Sequence, residues 1–264
     1  MELKINDVKA FWNENPLCAS GINEELGTKE YFLKYNNLRE SNESVSFSYS
    51  LHEYPSFKNK KVLDIGCGNG YILSQYAKEG AEVYGIDITE TAVELSNKRF
   101  DIFRIPFNGG KIQVGNAESL PFDDNTFDCV CSMGVLHHTP DTQQAINEAY
   151  RVLKPGGRMI MMFYAKDSLL NKWNFSILKY IHPKYIGMSR QELVNSVDGL
   201  KNPKGDIYNY GEMAEMMKKF KHIHMFKGLI QKWMMWPIGY ILPQGLLNLF
   251  EKKLGWFLYV KGWK

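Results

Sequence analysis

The chain has 264 residues, of which 44% are apolar and 23% are charged, enough apolar material for a core that needs no disulfide or structural metal. Its net charge of +3 is too weak to predict nucleic-acid binding. The first residues contain no apolar signal core, and no stretch reaches the roughly 20 apolar residues of a membrane span. We therefore expect a cytoplasmic protein without stable membrane insertion.

The cysteines and histidines give no metal-binding pattern. Cys18, Cys67, Cys129 and Cys131 form no CxxC pair, and three of them lie in predicted buried strands or adjoining loops. Free buried thiols suit a reducing compartment. No histidine stands at ligand spacing from these cysteines, so we expect no metal.

The predicted elements begin with a polar, aromatic-rich segment, 1–57, that favours one or two helices and a loop. From about residue 60 to 164, short apolar runs alternate with runs of helical period, as in βαβ units on a parallel sheet. The predicted strands are 61–65, 82–87, 112–114, 127–132 and 158–164. Helices are predicted after the first two strands and over 142–153, where Pro155-Gly156-Gly157 turns the chain into the fifth strand.

The remainder of the chain, 165–264, is less regular. A helix is predicted over 210–220, and strands over 222–230 and 256–263 are expected to pair antiparallel at one sheet edge. Residues 165–209 form an insertion whose length is typical of a lid over a substrate. The expected organisation is an N-terminal helical or lid segment, 1–57, and a main domain, 58–264, that carries this insertion.

A glycine-rich turn, residues 66–70, joins the first strand to a helix. Ligands of open α/β sheets bind at the carboxyl ends of the strands, and a helix N-terminus favours an anionic group. The spacing is GxGxG rather than the GxGxxG of dinucleotide sites, and Asp64 precedes it. A carboxylate there would repel a pyrophosphate but attract an ammonium or sulfonium. S-adenosylmethionine, which combines both cations with a small carboxylate, fits this pattern.

Two further loops extend the predicted site. Asp87 ends the second strand, where its carboxylate can accept both hydroxyls of a ribose, and Ile88 can pack on the adenine face. The third strand runs into a loop in which Asn116 is followed by Ala117 and Glu118, and these last two can meet the adenine edge. Together with the glycine turn, these loops favour a nucleoside cofactor.

Four runs of the sequence resemble class I S-adenosylmethionine-dependent methyltransferases, most closely those of the ubiquinone/menaquinone-biosynthesis type, over about residues 58–165. The runs are DIGCGNG, GID, VGNAESLPFDDNTFDCVCSMGVLHHTPD and RVLKPGG. The resemblance implies a Rossmann-like, seven-stranded, mostly parallel α/β sheet with an antiparallel last strand and helices on both faces. It also implies a cradle for the methionine part and a residue 132–134 turn near the transferred methyl. The residues expected at the cofactor are Asp64, Gly66, Gly68, Asn69, Asp87, Ile88, Asn116, Ala117, Glu118 and Met133.

The catalytic candidates are His137 and His138, which follow the carboxyl end of the fourth strand. An unperturbed imidazole titrates near neutrality and suits a general base for a hydroxyl acceptor, although either ring could simply bond the loop or line the pocket. The other four histidines are expected to be structural.

The expected reaction converts S-adenosylmethionine to S-adenosylhomocysteine and methylates a small acceptor, apolar or aromatic in character. Oxygen is the leading acceptor atom, with nitrogen or carbon as alternatives, and a non-catalytic cofactor-binding protein is a further alternative. The GxGxG spacing argues against a nicotinamide-dependent oxidoreductase. Residues 132–135 lack the Pro-Pro-Tyr type of loop that would favour methylation of nucleic-acid bases, and the oligomeric state stays open.

Overall fold

Three helices and a short 3₁₀ turn precede the sheet in the computed structural model, which describes residues 3–16, 22–236 and 238–264. They are α1 (Ile5–Glu14), α2 (Lys29–Asn42), α3 (Val45–His52) and the turn Tyr54–Phe57. The segment is therefore more helical than predicted. Cys18 lies outside the described residues, whereas Cys67, Cys129 and Cys131 are free and buried, as expected.

Strands and helices then alternate in the predicted order. The strands are β1 (Lys61–Ile65), β2 (Glu82–Asp87), β3 (Lys111–Val114), β4 (Phe127–Met133), β5 (Leu153–Ala165), β6 (Ile207–Tyr208), β7 (Lys221–Gly228) and β8 (Phe257–Trp263). The helices among them are α4 (Tyr71–Lys78), α5 (Glu90–Ile102), α6 (Thr142–Val152), α7 (Phe175–Ile181), α8 (Arg190–Asn195), α9 (Tyr210–Met216) and α10 (Gln244–Leu254).

The strands form one sheet in the order β3-β2-β1-β4-β5-β8-β7. The first five are parallel, and β8 pairs antiparallel with both β5 and β7. This confirms the Rossmann-like fold and the antiparallel pair at one edge. An eighth strand arises because the two residues of β6, at the end of the insertion, pair with the end of β5.

Each face of the sheet packs into its own hydrophobic core, since neighbouring side chains on a strand point to opposite faces. Val62 and Ile160 join Tyr76 of α4 on one face. Leu63 and Met161 join the helices α6 and α9 on the other. The sheet is therefore buried on both sides, and its carboxyl-terminal edge is left to form a site.

Two boundaries differ from the prediction. Strand β5 begins at Leu153, directly after α6, because Leu153 pairs with Phe127 and an irregularity between Phe127 and Cys129 absorbs the change of register. The Pro-Gly-Gly run lies inside β5 and is not a turn before it. Helix α9 ends at Met216 because the next residues tighten into a turn, closed by a bond from the Phe220 N–H to the Met217 carbonyl.

Within the described ranges, none of the helices has both the length and the apolar character that crossing a bilayer requires.

Candidate functional site

A cavity of about 390 Å³ lies at the carboxyl ends of the parallel strands, beneath the N-terminal helices. This is the crevice where the strand order reverses between β1 and β4, the usual ligand position in such sheets. Seven of the predicted cofactor residues line it: Gly66, Gly68, Asp87, Ile88, Asn116, Ala117 and Met133. Helices α1 and α2 contribute the opposite wall, including Trp12 and Arg39.

The glycine turn needs its glycines. Gly66 and Gly68 have φ angles of +75° and +54°, in the left-handed region. A Cβ on Gly66 would lie 2.4 Å from a methyl carbon of Val135, so a side chain there would displace the loop after β4. The amides of Gly66 and Cys67 both donate to the Ile86 carbonyl. These amides are therefore not available to the anionic group that we expected at the start of α4.

Asp87 stands at the centre of the cofactor side of the cavity. One carboxylate oxygen accepts from the Gly68 N–H at 3.1 Å, and the other accepts from the Thr89 N–H and hydroxyl at 3.0 Å. Burial raises the pKa of Asp87, and the bonds from Thr89 and Gly68 oppose that rise. A carboxylate has about four acceptor positions, and these donors use three of them, so this oriented group can still accept a bond from a ligand.

Three predicted residues do not line the cavity. Asp64 is buried behind it, where the Cys131 thiol donates to its carboxylate at 3.5 Å, and burial raises the pKa of Asp64 to about 7. The Asn69 side chain is buried, and its oxygen accepts from the Tyr71 N–H. Glu118 accepts from the Asp141 N–H at 2.6 Å, so its carboxylate is directed toward the start of α6.

Arg39 on α2 was not predicted, and it carries the one permanent positive charge among the described residues that line the cavity. Its guanidinium donates to Glu43 at 2.6 Å. Burial, the largest single effect, works against the charge, but Glu43 together with three nearby tyrosines outweighs it, so the pKa of Arg39 lies above its usual value. Arg39 also acts electrostatically on Asp64, which locates it near the end of β1. The cavity therefore offers a fixed cation to an anionic group.

The two candidate histidines differ in position. His138 lines the cavity, and its ring makes an edge contact with Trp12 at 5.2 Å between centroids. His137 is fully buried beside Tyr164 and is not part of the lining, and neither of its ring nitrogens has a partner. Burial, with the charges of His138 and Lys204, holds the pKa of His137 well below its usual value. His137 is therefore a neutral packing group.

His138 belongs to a polar cluster at one end of the cavity. Its Nδ1–H donates to the Lys204 carbonyl, and its Nε2 lies 3.5 Å from Oδ2 of Asp198. The Tyr164 hydroxyl donates to the other oxygen of Asp198 at 2.8 Å. Asp198 and Tyr164 also line the cavity, together with the ring of Phe257. We call this end, with Trp12 as its cover, the acceptor end.

Sequence reasoning missed Asp198, Tyr164 and Arg39. Asp198 comes from the predicted insertion, so its sequence position gave a partial signal, since a lid places side chains over a site. Arg39 and Tyr164 stand in ordinary helix and strand patterns with no local signal. Among the described residues, no group of three or more His, Cys, Asp or Glu side chains is arranged to hold a metal ion.

Residues 63–161 match the family described as "Methyltransferase domain". The matched region makes up less than half of the chain. It runs from β1 into β5 and so includes the glycine turn, Asp87 and His138. The match confirms the resemblance that the sequence motifs carried.

Curated proteins that the chain resembles agree with this match. The ubiquinone/menaquinone biosynthesis C-methyltransferase UbiE of Haemophilus ducreyi is 30% identical over 174 residues, 62% of this chain and 64% of that protein. The sterol 4-C-methyltransferase strm-1 of Caenorhabditis elegans is 33% identical over 125 residues, 47% of this chain and 37% of that protein. The chain thus spans less than two thirds of these relatives, and it resembles class I S-adenosylmethionine-dependent methyltransferases of the UbiE type.

Solved structures confirm the fold. Magnesium protoporphyrin IX methyltransferase (ChlM) from Synechocystis PCC 6803, solved with bound SAH, superimposes with a TM-score of 0.61 over 99% of this chain and 100% of that chain. Its sequence identity is 14%, so the likeness concerns architecture.

Proposed function

We propose that the chain is an enzyme that transfers the methyl group of S-adenosylmethionine to a small-molecule acceptor. The observation that carries the proposal is a single cavity with two chemically different ends. One end has the glycine turn and Asp87, and the other has aromatic rings beside the His138–Asp198 pair. A cofactor and an acceptor can therefore meet inside one cavity that the N-terminal helices cover.

The residues of the cofactor end suit the parts of S-adenosylmethionine. Asp87 would accept the two ribose hydroxyls, and Ile88 and Ala117 would border the adenine. The Arg39 guanidinium would hold the methionine carboxylate, a role that the paired amides of the glycine turn do not fill. Asp64 would favour the ammonium group, because a nearby cation stabilises the charged form of a buried carboxyl.

The bound cofactor supplies a methyl group already activated by its sulfonium. The protein's task is then to align the acceptor with that methyl and to exclude water, and alignment of this kind lowers a barrier by about 7–11 kcal/mol. The rings of Trp12 and Phe257 provide the dry walls. Met133 and Gly134, at the end of β4, would lie near the transferred methyl.

His138 is the proposed general base. Because its Nδ1–H donates to a carbonyl, its neutral ring has a lone pair on Nε2, the atom that faces Asp198. A proton removed from the acceptor would end on Nε2, and the Asp198 carboxylate would stabilise the imidazolium that results. Tyr164, which donates to Asp198, would keep that carboxylate oriented.

The acceptor atom is part of the proposal. The sequence favoured oxygen, whereas the two curated relatives described above are named as C-methyltransferases. A phenol or enol is an acceptor of either kind, since loss of one proton makes nucleophilic both its oxygen and a carbon, which is the ortho carbon of a phenol or the β carbon of an enol. We propose this class of acceptor, and isotopic analysis of the methylated product decides between the two atoms.

The cofactor test is calorimetric titration of the protein with S-adenosylmethionine and S-adenosylhomocysteine, followed by incubation of tritiated-methyl cofactor with fractionated metabolite extract. We expect saturable binding and a labelled small product. Binding without any labelled product would favour the non-catalytic alternative. An absence of binding would refute the proposal.

The base test compares His138→Ala with His224→Ala, an exposed histidine on β7. We expect His138→Ala to lower kcat about 10²- to 10⁴-fold, the usual contribution of a general base, while affinity for S-adenosylhomocysteine stays within about twofold. His224→Ala serves as the control and should leave kcat unchanged. Equal kcat values in the two variants would remove His138 from the mechanism.

A further inference from the structure

Two segments, 170–190 and 229–254, carry a disproportionate share of the exposed apolar side chains. We call the surface that they form the apolar face. Among the described residues, 20 large hydrophobic side chains are exposed, and 12 of them belong to these 47 positions, which marks a patch rather than scattered exposure. The six most exposed side chains of the face are Tyr180, Ile181, Ile186, Tyr240, Ile241 and Leu249.

The two segments lie against each other. The side-chain amide of Asn174 donates to the Trp233 carbonyl at 2.8 Å. A second cavity, of about 260 Å³, is lined by α7 and by the rings of Trp233 and Trp236. Val197 also lines this second cavity, and the next residue, Asp198, lines the first. The apolar face therefore adjoins the acceptor end.

The charges of the apolar face have one sign. Its two segments contain seven Lys or Arg residues and a single acid, Glu251, for a net charge of +6. The whole chain has a net charge of +3, so the remaining residues sum to −3. Glu251 is itself engaged, because its carboxylate accepts from the Leu229 N–H. Positive charge is thus concentrated on the surface that also exposes apolar and aromatic side chains.

We propose that the apolar face docks on the surface of an anionic lipid bilayer. Aromatic and aliphatic side chains can enter the boundary between headgroups and acyl chains, while lysines around them attract anionic headgroups. Tryptophan and tyrosine favour this boundary because their rings are amphipathic. A second copy of the chain fits less well, since a two-fold interface would bring two faces of charge +6 together.

The test is cosedimentation of the full chain with vesicles of phosphatidylcholine alone and with 30% phosphatidylglycerol. We expect binding to the anionic vesicles, at least tenfold weaker binding to the neutral ones, and loss of binding as salt screens the lysines. Because no cofactor or acceptor is added, this result does not depend on methyl transfer. Loss of the proposed enzymatic activity would leave it unaffected.

Paired substitutions identify the residues of the apolar face that contact the vesicle. Lys252→Glu with Lys253→Glu should weaken binding to anionic vesicles by at least about 30-fold, since each lysine near such a surface contributes about fivefold and each glutamate adds repulsion. The matched control is Lys218→Glu with Lys219→Glu at the end of α9, which should change binding less than twofold. Ile241→Asp with Leu249→Asp should abolish binding, whereas Leu26→Asp with Leu33→Asp, exposed leucines elsewhere, should not.

A retained circular dichroism spectrum and retained cooperative thermal unfolding verify that each variant folds. Two results would overturn the proposal. One is the absence of vesicle binding by the unmodified chain. The other is a homodimer in sedimentation that Ile241→Asp with Leu249→Asp dissociates, because the apolar face would then be a protein interface.

Discussion

At the scale of single residues, Asp87 is oriented by the protein before any ligand arrives. Gly68 and Thr89 donate to its two oxygens, so the carboxylate does not need to reorganise when a ribose binds. We expect Asp87→Ala to weaken binding of S-adenosylhomocysteine about 100-fold, because each hydrogen bond to a charged group is worth about 1.5–3 kcal/mol. Isothermal titration calorimetry measures this.

Asp128→Ala is the matched control for Asp87→Ala. Asp128 lies near the amino end of β4, where it accepts from the Lys61 N–H, so its removal leaves the cavity intact. An affinity loss as large in the control as in Asp87→Ala would mean that the effect comes from general destabilisation. Denaturation of both variants separates the two causes.

Asp64 carries a stability cost that depends on pH. Burial raises its pKa to about 7 in the folded protein, against about 3.9 in the unfolded chain. Between those values the folded state binds more protons at this group, so the free energy of unfolding falls as pH rises. The full loss by pH 8 is about 4 kcal/mol. Asparagine does not ionise, so the Asp64→Asn variant does not lose this free energy of unfolding as pH rises.

Asp64→Asn should therefore raise the free energy of unfolding at pH 8 by up to about 4 kcal/mol, and by much less near pH 4. Urea denaturation of the ligand-free protein at both pH values checks this, with the exposed Asp101→Asn as control. The same variant should bind S-adenosylmethionine more weakly, because the negative charge behind the cavity wall, which would attract the ammonium, is lost. A gain in stability that is equal at both pH values would contradict the assignment.

At the scale of elements, helix α2 is held over the cavity by a buried arginine on α5. Arg99 donates to the Asn69 carbonyl at 2.7 Å and to the Asn36 side chain at 2.9 Å, and its guanidinium stacks on Phe32. Burial lowers the pKa of Arg99 to about 10, so it stays charged at neutral pH. One side chain thus joins α2, α5 and the glycine turn.

We expect Arg99→Leu to lower the free energy of unfolding by about 2–4 kcal/mol, because one buried and one half-buried acceptor lose their partner. Proteolysis should then cut within α2 faster than in the unmodified chain. Lys98→Leu, at the neighbouring exposed position on the same helix, controls for the substitution. Equal stability and equal cleavage rates in the two variants would show that α2 is held by other contacts.

The elements that could be predicted are those whose signal is local. Strands β1 and β2 are short apolar runs that end at glycine or aspartate, and both match their predicted bounds. Thr89 caps α5 as expected, by accepting from the Ala92 N–H. The start of β5 could not be predicted, because pairing of Leu153 with Phe127 outweighs the turn preference of the Pro-Gly-Gly run.

The residues of the candidate site also differ in whether a local sequence signal predicts them. Asp87 follows a strand directly, so its position at the cavity could be read from the chain. Asp198 reaches His138 across 60 residues, and Arg39 lines the same cavity from a helix that precedes the sheet. Such contacts depend on how distant segments pack, and the amphipathic pattern of a segment does not encode its partner.

At the scale of the whole molecule, the strand β8 lies between β5 and β7, although it is the last of the three in the chain. The hydroxyl of Tyr259 on β8 also donates to Glu43, the partner of Arg39 on α2. Residues more than 200 positions apart in the chain therefore contact each other. Strand β8 joins β7 to the rest of the sheet and also helps to hold helix α2 over the cavity.

This arrangement has a consequence for synthesis on the ribosome. Until residues 257–263 emerge, a nascent chain has an uncovered β5 edge, and such an edge invites pairing with other strands. Helix α2, which covers the cavity, also lacks the hydrogen bond from Tyr259 to Glu43 during this time. Maturation of the pocket is thus delayed until residues 257–263 have been synthesised and have paired with β5.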